Sequence, residues 1–139
     1  QVQAFPRSRE LVVALHSRDM KVLLASSAKQ AEVDHYVELL DIRDYLTATT
    51  SADDVEHSKP AGDIFASALK KVAPISGKES YVVGDTPYDV IAAAKCGIAA
   101  IGLLSGGFSD ADLRSAGARA VYENVGQLTD QLDQSRLAS

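Results

Sequence analysis

The residues best suited to chemistry are two aspartates, Asp85 and Asp89, which follow a short apolar run. That run, Tyr81–Val83, is typical of a buried strand, and Gly84 permits a tight exit from it. Asp85 then falls at the carboxyl end of the strand, where open α/β sheets bind their ligands. Pro87 suits the first turn of a helix, so Asp89 lies about one turn further on and can face the same crevice. Two converging carboxylates suit Mg²⁺; the alternative is that Asp85 caps the helix and Asp89 is solvated.

Two further polar residues stand at the ends of predicted elements. Ser26 follows the apolar run KVLLA, and Lys59 opens a helix after the β-rich stretch YLTATT. Because the carboxyl ends of parallel strands share one edge of a sheet, these groups are expected near the acid pair. A hydroxyl with neighbouring backbone N–H groups, an ammonium and a metal-holding acid pair together suit a phosphate. Taken singly, Ser26 could be only a helix cap and Lys59 only a surface charge.

The elements that must position these residues alternate between strand and helix. The patterns predict strands at 21–25, 45–50, 81–85, 99–104 and 120–122 and helices at 6–17, 28–40, 59–72 and 87–96, with two shorter helices capped by Ser109 and Asn124. Residues 51–58 are predicted to be a polar loop. This alternation predicts an α/β fold: a Rossmann-like, mostly parallel sheet with helices on both faces, in a single domain spanning 1–139.

Composition narrows the classes of function. The chain has 139 residues and a formal net charge of −5, and its Lys and Arg residues form no runs, so a nucleic-acid partner is not indicated. The lone Cys96 excludes an internal disulfide and is compatible with a reducing compartment. No apolar run is long enough to span a membrane, and no signal-peptide pattern opens the chain. We therefore expect no membrane partner and a cytoplasmic location.

Three stretches together resemble the haloacid dehalogenase superfamily, in the branch of phosphoglycolate phosphatases and β-phosphoglucomutases. KVLLASSAKQ resembles the second motif of that family, a strand that ends in a phosphate-binding Ser or Thr. EHSKPAGDIFASAL resembles its third motif, in which a Lys precedes Pro, and YVVGDTPYDVIAAAKCG resembles its fourth, which holds Mg²⁺. The order and spacing of the three agree with the family, and the resemblance covers nearly the whole chain.

The resemblance implies a role for each matching residue. Ser26 and the backbone N–H of Ser27 would bind the transferring phosphoryl group, and Lys59 would steady the phosphate and the nucleophilic carboxylate. Asp85 would ligate Mg²⁺, supported by Asp89. The implied activity is Mg²⁺-dependent hydrolysis of a small phosphorylated metabolite through an aspartyl-phosphate.

One motif of the family is missing from the sequence. Its first motif is a strand ending in Asp-x-Asp, whose first Asp is the nucleophile. The only such pattern here, Asp110-Ala111-Asp112, follows no apolar strand and reads as an ordinary helix start after Ser109. The resemblance therefore implies that the 139 residues are the carboxyl-terminal part of a longer hydrolase, with the nucleophile and a cap domain outside them.

The missing strand has a structural consequence. In the family it lies between the strands that correspond to KVLLA and YVVGD, so those two strands would expose unpaired backbone groups. We expect the 139 residues alone to be inactive. We also expect them to be poorly stable, or to borrow a strand from a partner or from a second copy.

Other functions stay open at this point. A non-catalytic phosphate-binding or interaction module would explain the absent first motif. A haloacid dehalogenase is less favoured because it needs no Mg²⁺, which leaves Asp85 and Asp89 without a purpose; a sugar-phosphate mutase has similar motifs. A receiver-like signalling domain is disfavoured because no acidic cluster precedes Ser26.

Overall fold

The structure, a computed structural model, describes residues 8–26, 28–57 and 64–132, without the side chains of 55–57. The chain divides into two compact units, residues 1–74 and 75–139. The elements of the first unit are α1 (Ser8–Ser17), β1 (Leu23–Ala25), α2 (Gln30–Leu40), a 3₁₀ turn (Arg43–Tyr45), β2 (Ala48–Thr50), α3 (Ala52–His57) and α4 (Ile64–Lys71).

In the first unit β1 and β2 pair in parallel, with Leu23–Ala25 alongside Ala48–Thr50. The core is built on Val33 and Val37, one turn apart on α2, and on Ile42 just after that helix. Leu24 of β1 packs against this cluster. Helix α4 contacts both strands. The burial of one face of α2 against β1 fixes where the end of β1, and hence Ser26, can lie.

The second unit is a three-stranded parallel sheet in the order β3–β4–β5. Its elements are a 3₁₀ turn (Gly77–Glu79), β3 (Tyr81–Gly84), α5 (Pro87–Lys95), β4 (Ala99–Leu103), a 3₁₀ turn (Leu104–Gly106), α6 (Asp110–Ala116), β5 (Ala120–Tyr122) and α7 (Val125–Asp130). The central strand β4 is buried from Ala100 to Leu103. A continuous apolar run of this kind is typical of a parallel strand covered on both faces.

The predicted α/β fold with parallel strands and helices is confirmed. Ser109 and Asn124 cap α6 and α7 as expected, each accepting a hydrogen bond from the backbone N–H three residues on. The strands are shorter than predicted: the predicted strand at 45–50 begins only at Ala48, because Tyr45 belongs to a 3₁₀ turn. Of the helix predicted at 59–72, residues 64–71 are helical and its first residues lie outside the described part.

The prediction of a loop at 51–58 is wrong for most of its length, since Ala52–His57 form α3. The backbone N–H of Ser51 donates to the carboxylate of Asp54 at 2.8 Å, which is half of a capping box at the start of this helix. The polar composition of the segment thus reflects a helix start and not a turn.

The strands form two sheets, β1–β2 and β3–β4–β5. Within the described residues β1 pairs only with β2, and β3 only with β4. No helix in the described part of the chain has both the length and the apolar character needed to span a bilayer.

Candidate active site

The acid pair occupies the junction between β3 and α5. Thr86 is the N-cap of α5: its hydroxyl accepts the backbone N–H of Asp89 at 3.2 Å, and Pro87 fills the first helical position. The alternative in which Asp85 caps the helix is therefore wrong, because Thr86 does so. Asp89 stands in the first turn of the helix, where the helix dipole favours a negative charge.

The side chain of Asp89 lies back against the end of the strand. A Cβ added to Gly84 would stand 2.6 Å from Cβ and 2.9 Å from Oδ2 of Asp89. Asp85 is the residue that follows Gly84 directly, so both carboxylates belong to the same strand end. Both aspartates are half-buried, which leaves them open to a ligand.

This donor set fits Mg²⁺. The ion binds hard oxygens, commonly through one or two carboxylates, and keeps several waters or takes phosphate oxygens in its other positions. Among the described residues no cluster of three or more His, Cys, Asp or Glu side chains could form a closed protein cage. Two carboxylates at one strand end match the ligand preference of this ion.

Ser26 lies at the corresponding end of β1, in the first unit. Its backbone N–H donates to the carbonyl of Thr50 at 2.9 Å, which continues the β1–β2 ladder by one residue. Its Oγ accepts the backbone N–H of Ala28 at 3.0 Å. A hydroxyl that accepts one hydrogen bond keeps its own proton for donation, so Ser26 remains able to bind an anionic oxygen.

The turn after Ser26 is held by a segment that the sequence analysis did not single out. We call residues Thr50–Asp54 the support segment. The backbone N–H of Ala52 donates to the carbonyl of Ala28 at 2.9 Å, and the carboxylate of Asp53 accepts the backbone N–H of Gln30 at 3.1 Å. The support segment thus fixes the turn from Ser26 to the start of α2. The Ser51-x-x-Asp54 spacing, a helix-start pattern, was the signal that could have found it.

Asp54 ties the support segment to α4. The Nζ of Lys71 lies 3.0 Å from Oδ1 of Asp54 and donates to the carbonyl of Thr49 at 2.6 Å. The backbone hydrogen bond from Ser51, and next the hydrogen bond from Lys71, hold the pKa of Asp54 below its ordinary value. The charged carboxylate of Asp54 is therefore the form that the folded unit favours.

The predicted site residues stand as follows. Asp85 and Asp89 both lie at the junction of β3 and α5 in the second unit and Ser26 lies in the first, whereas Ser27 and Lys59 lie outside the described residues. Asp110 and Asp112 begin α6 behind the cap Ser109, and both are exposed.

The chain is similar to known hydrolases. The family model "haloacid dehalogenase-like hydrolase" matches residues 1–103. The chain is 31% identical over 126 residues to the Arabidopsis thaliana protein SUPPRESSOR OF QUENCHING 1, chloroplastic, covering 90% of this chain and 12% of that protein. It is 24% identical over 128 residues to the phosphoglycolate phosphatase of Escherichia coli, covering 92% of this chain and 50% of the phosphatase.

A solved structure shows the same fold. A hydrolase from Pseudomonas syringae superposes with a TM-score of 0.81 at 32% identity, over 94% of this chain and 61% of the hydrolase. The chain thus spans about half the length of the phosphoglycolate phosphatase it matches and a smaller share of the plant protein. With three of its motifs, its fold and its sequence all in agreement, the chain belongs to the haloacid dehalogenase-like hydrolase family.

Proposed function

We propose that the 139 residues of this chain form the metal- and phosphate-binding part of a Mg²⁺-dependent phosphatase that acts on a small phosphorylated metabolite. The observation that carries the proposal is the position of Asp85 and Asp89 at one strand–helix junction, directly after β3 and in the first turn of α5, in a chain of a hydrolase family. The name of the relative phosphoglycolate phosphatase supports the substrate class. Asp85 and Asp89 would hold Mg²⁺, which when bound supplies positive charge to the phosphoryl oxygens.

The other residues of the chain would bind and orient the phosphate. The Oγ–H of Ser26 and the backbone N–H of Ser27 would donate to phosphoryl oxygens, and the ammonium of Lys59 would offset their charge. The support segment would keep the Ser26 turn in place through the Asp53–Gln30 and Ala52–Ala28 hydrogen bonds.

The attacking carboxylate would come from a segment outside these 139 residues. The Asp-x-Asp pattern of the chain sits at an exposed helix start, Asp110–Asp112, which favours a role in starting the helix over that of the nucleophile. The nucleophile would attack phosphorus in line and displace the alcohol of the ester. Water would then hydrolyse the aspartyl-phosphate, which releases inorganic phosphate and regenerates the carboxylate.

The first test measures aryl phosphate hydrolysis by the longest natural chain that contains these residues. Turnover should require Mg²⁺, and Asp85→Asn should lower kcat/KM by about 100-fold or more, because several kcal/mol of charge stabilisation are lost. Asp112→Asn is the matched control: it removes an exposed aspartate from another helix start and should leave the rate unchanged. Hydrolysis without Mg²⁺, or an unaffected Asp85→Asn variant, would contradict the proposal.

A non-catalytic module is the second candidate, favoured by the exposed position of the only Asp-x-Asp pattern. It predicts that the protein binds Mg²⁺ and inorganic phosphate but turns over no phosphate ester. Calorimetric titration with each ion, beside the hydrolysis assay, separates the two candidates.

The unpaired edges of β1 and β3 suggest what kind of partner the chain has. In the described residues β1 and β3 are each paired on one side only, so we propose that a further strand, from outside these residues or from a second copy, pairs with them.

A further inference from the structure

Gly106 lies in the turn that follows β4, and this turn touches Asp85. Strand β4 runs parallel to β3, with Gly102 paired to Gly84. The two strands therefore end at the same edge, and the turn Leu104–Gly106 leaves β4 where Asp85 leaves β3. The turn is closed by the backbone N–H of Gly107, which donates to the carbonyl of Leu104 at 3.0 Å.

There is no room for a side chain at Gly106. An added Cβ would stand 2.3 Å from the carbonyl oxygen of Asp85 and 2.9 Å from both Cβ and Cγ of that residue. Carbon and oxygen atoms that do not share a bond are not accommodated at such distances, and the backbone oxygen cannot rotate away as a side chain can. The backbone of Gly106 does not have a positive φ. A glycine is required here because Asp85 approaches its α-carbon closely, and not because of the backbone conformation.

Gly84 has the same relation to Asp89. An added Cβ there would meet Cβ of Asp89 at 2.6 Å and Cγ at 3.0 Å. Each aspartate of the pair thus rests against the bare α-carbon of its own glycine: Asp85 against Gly106 and Asp89 against Gly84.

We propose that Gly106 and Gly84 are positioning residues that set the places of the Asp85 and Asp89 carboxylates and thereby the affinity for Mg²⁺. This inference rests on the proposed function, since it takes the acid pair to be the metal site. A methyl group on Gly106 moves the backbone and side chain of Asp85, while a methyl group on Gly84 moves Asp89. Displaced ligands lose the mutual geometry that an octahedral ion demands.

The chain supplies two matched controls. At Gly77 an added Cβ would stand 2.7 Å from the carbonyl oxygen of Cys96, a clash of similar kind that involves neither aspartate. Gly107 belongs to the same turn as Gly106 and has φ of 90°, but nothing lies within 4 Å of its added Cβ. Gly77→Ala therefore reports the cost of a backbone clash, and Gly107→Ala the cost of strain in the turn, each without touching the acid pair.

The experiment measures the Mg²⁺ dissociation constant of the longest natural chain by calorimetry, beside thermal unfolding without metal. Gly106→Ala should raise the dissociation constant about 10- to 100-fold, the usual cost of losing support behind a metal ligand. Gly77→Ala and Gly107→Ala should lower the unfolding temperature but leave Mg²⁺ affinity within about threefold, well below that 10-fold threshold. Equal losses of affinity in the controls, or wild-type affinity in Gly106→Ala, would overturn the inference.

A second variant covers the case in which Gly106→Ala does not fold. Gly84→Ala should weaken Mg²⁺ binding in the wild-type background and weaken it no further in an Asp89→Asn background, because its effect acts through Asp89. Additive losses would overturn the inference. Mg²⁺ binding by the wild type and by Asp85→Asn separates failure of the proposed metal site from failure of this inference. If the wild type binds no Mg²⁺, both the metal site and the inference are refuted. If Asp85→Asn abolishes Mg²⁺ binding but Gly106→Ala and Gly84→Ala preserve it, only the inference is refuted.

Discussion

Thr50 carries a hydroxyl that the first unit buries without satisfying. Thr50 is fully buried, and its Oγ1 has no hydrogen-bond partner among the described residues. An unsatisfied buried polar group costs about 1–3 kcal/mol, so native proteins rarely keep one without a reason. The position of Thr50, at the end of β2 and bonded through its carbonyl to Ser26, places this cost beside the candidate phosphate site.

Thr50→Val tests whether the Thr50 hydroxyl makes a stabilising hydrogen bond. The two side chains have nearly the same shape, so removal of an unpartnered hydroxyl should raise the free energy of unfolding by about 1 kcal/mol. Thr49→Val is the control, because Oγ1 of Thr49 accepts from Nε2 of Gln30 at 3.3 Å and its loss should be neutral or destabilising. Urea unfolding of both variants decides the matter: a destabilised Thr50→Val would mean that the hydroxyl has a partner outside the described residues.

At the scale of elements, the support segment joins four parts of the first unit. It begins with the last residue of β2, contains the start of α3, and bonds to the Ser26–Gln30 turn and to Lys71 of α4. These bonds are individually modest, but they converge on the turn that carries Ser26. The support segment therefore acts on this turn mainly through the geometry that its hydrogen bonds impose.

Asp53→Ala should loosen that turn. The carboxylate of Asp53 accepts the backbone N–H of Gln30. This N–H lies at the start of α2, where backbone donors have no partner within the helix itself. We expect amide exchange at Gln30 to accelerate by about tenfold, equivalent to the ~1.4 kcal/mol cost of a lost helix cap. Asp53→Asn keeps an acceptor oxygen and should restore most of the protection. Glu32→Gln, which alters an exposed acid on the same helix, is the control. Unchanged exchange in Asp53→Ala would contradict the role.

The Asp54–Lys71 pair predicts how the first unit responds to acid. The pKa of Asp54 is lowered in the folded state, first by the Ser51 backbone hydrogen bond and then by Lys71. Its stabilisation is therefore fully present above the unfolded value of about 3.9 and disappears as the pH falls through the lower folded value.

Asp54→Asn should remove this acid-sensitive part of the stability. Both members of the pair are about one-third exposed, so we expect a loss of about 1 kcal/mol at pH 7 and a shrinking difference from wild type below about pH 4. Urea unfolding between pH 3 and pH 7 measures it. Glu38→Gln, in a more exposed pair with Arg43, should have almost no effect; a pH-independent difference for Asp54→Asn would refute the assignment.

At the scale of the whole molecule, the two sheets predict an uneven pattern of backbone protection. Strand β4 is paired on both sides, by β3 and β5, whereas β1 and β3 are each paired on one side in the described residues. In the isolated 139 residues, amides of β4 should exchange most slowly, and part of β1 and β3 should exchange fast. In the longest natural chain or in an oligomer, β1 and β3 should become protected. Full protection of both strands in a monomer of 139 residues would contradict the proposed strand-accepting edges.

Much of the fold follows from the sequence because its signals are local. Ser109 and Asn124 each cap a helix through a hydrogen bond to the residue three positions on, so the spacing alone located both helix starts. The apolar runs of β3 and β4 likewise predict strands, although β4 is buried and β3 is only half-buried, and the Asp110–Asp112 pattern predicts a helix start that the structure confirms. Asp85 and Asp89 share one strand–helix junction for the same reason, since they are only four residues apart; their role as a metal-binding pair stays a prediction.

Contacts between distant residues were decided only by the tertiary structure. Gln30 and Asp53 are 23 positions apart, and Lys71 and the Thr49 carbonyl it binds are 22 apart, so no local spacing announced either bond. The need for a bare α-carbon at Gly106 likewise comes from a distant residue, because the backbone of Asp85, directly after the neighbouring strand, leaves no room for a side chain. The sequence by itself determined which polar residues stand at strand ends and helix starts, because local spacing encodes both. The tertiary structure decided what holds those residues in place, because close packing depends on neighbours that the chain brings together only by folding.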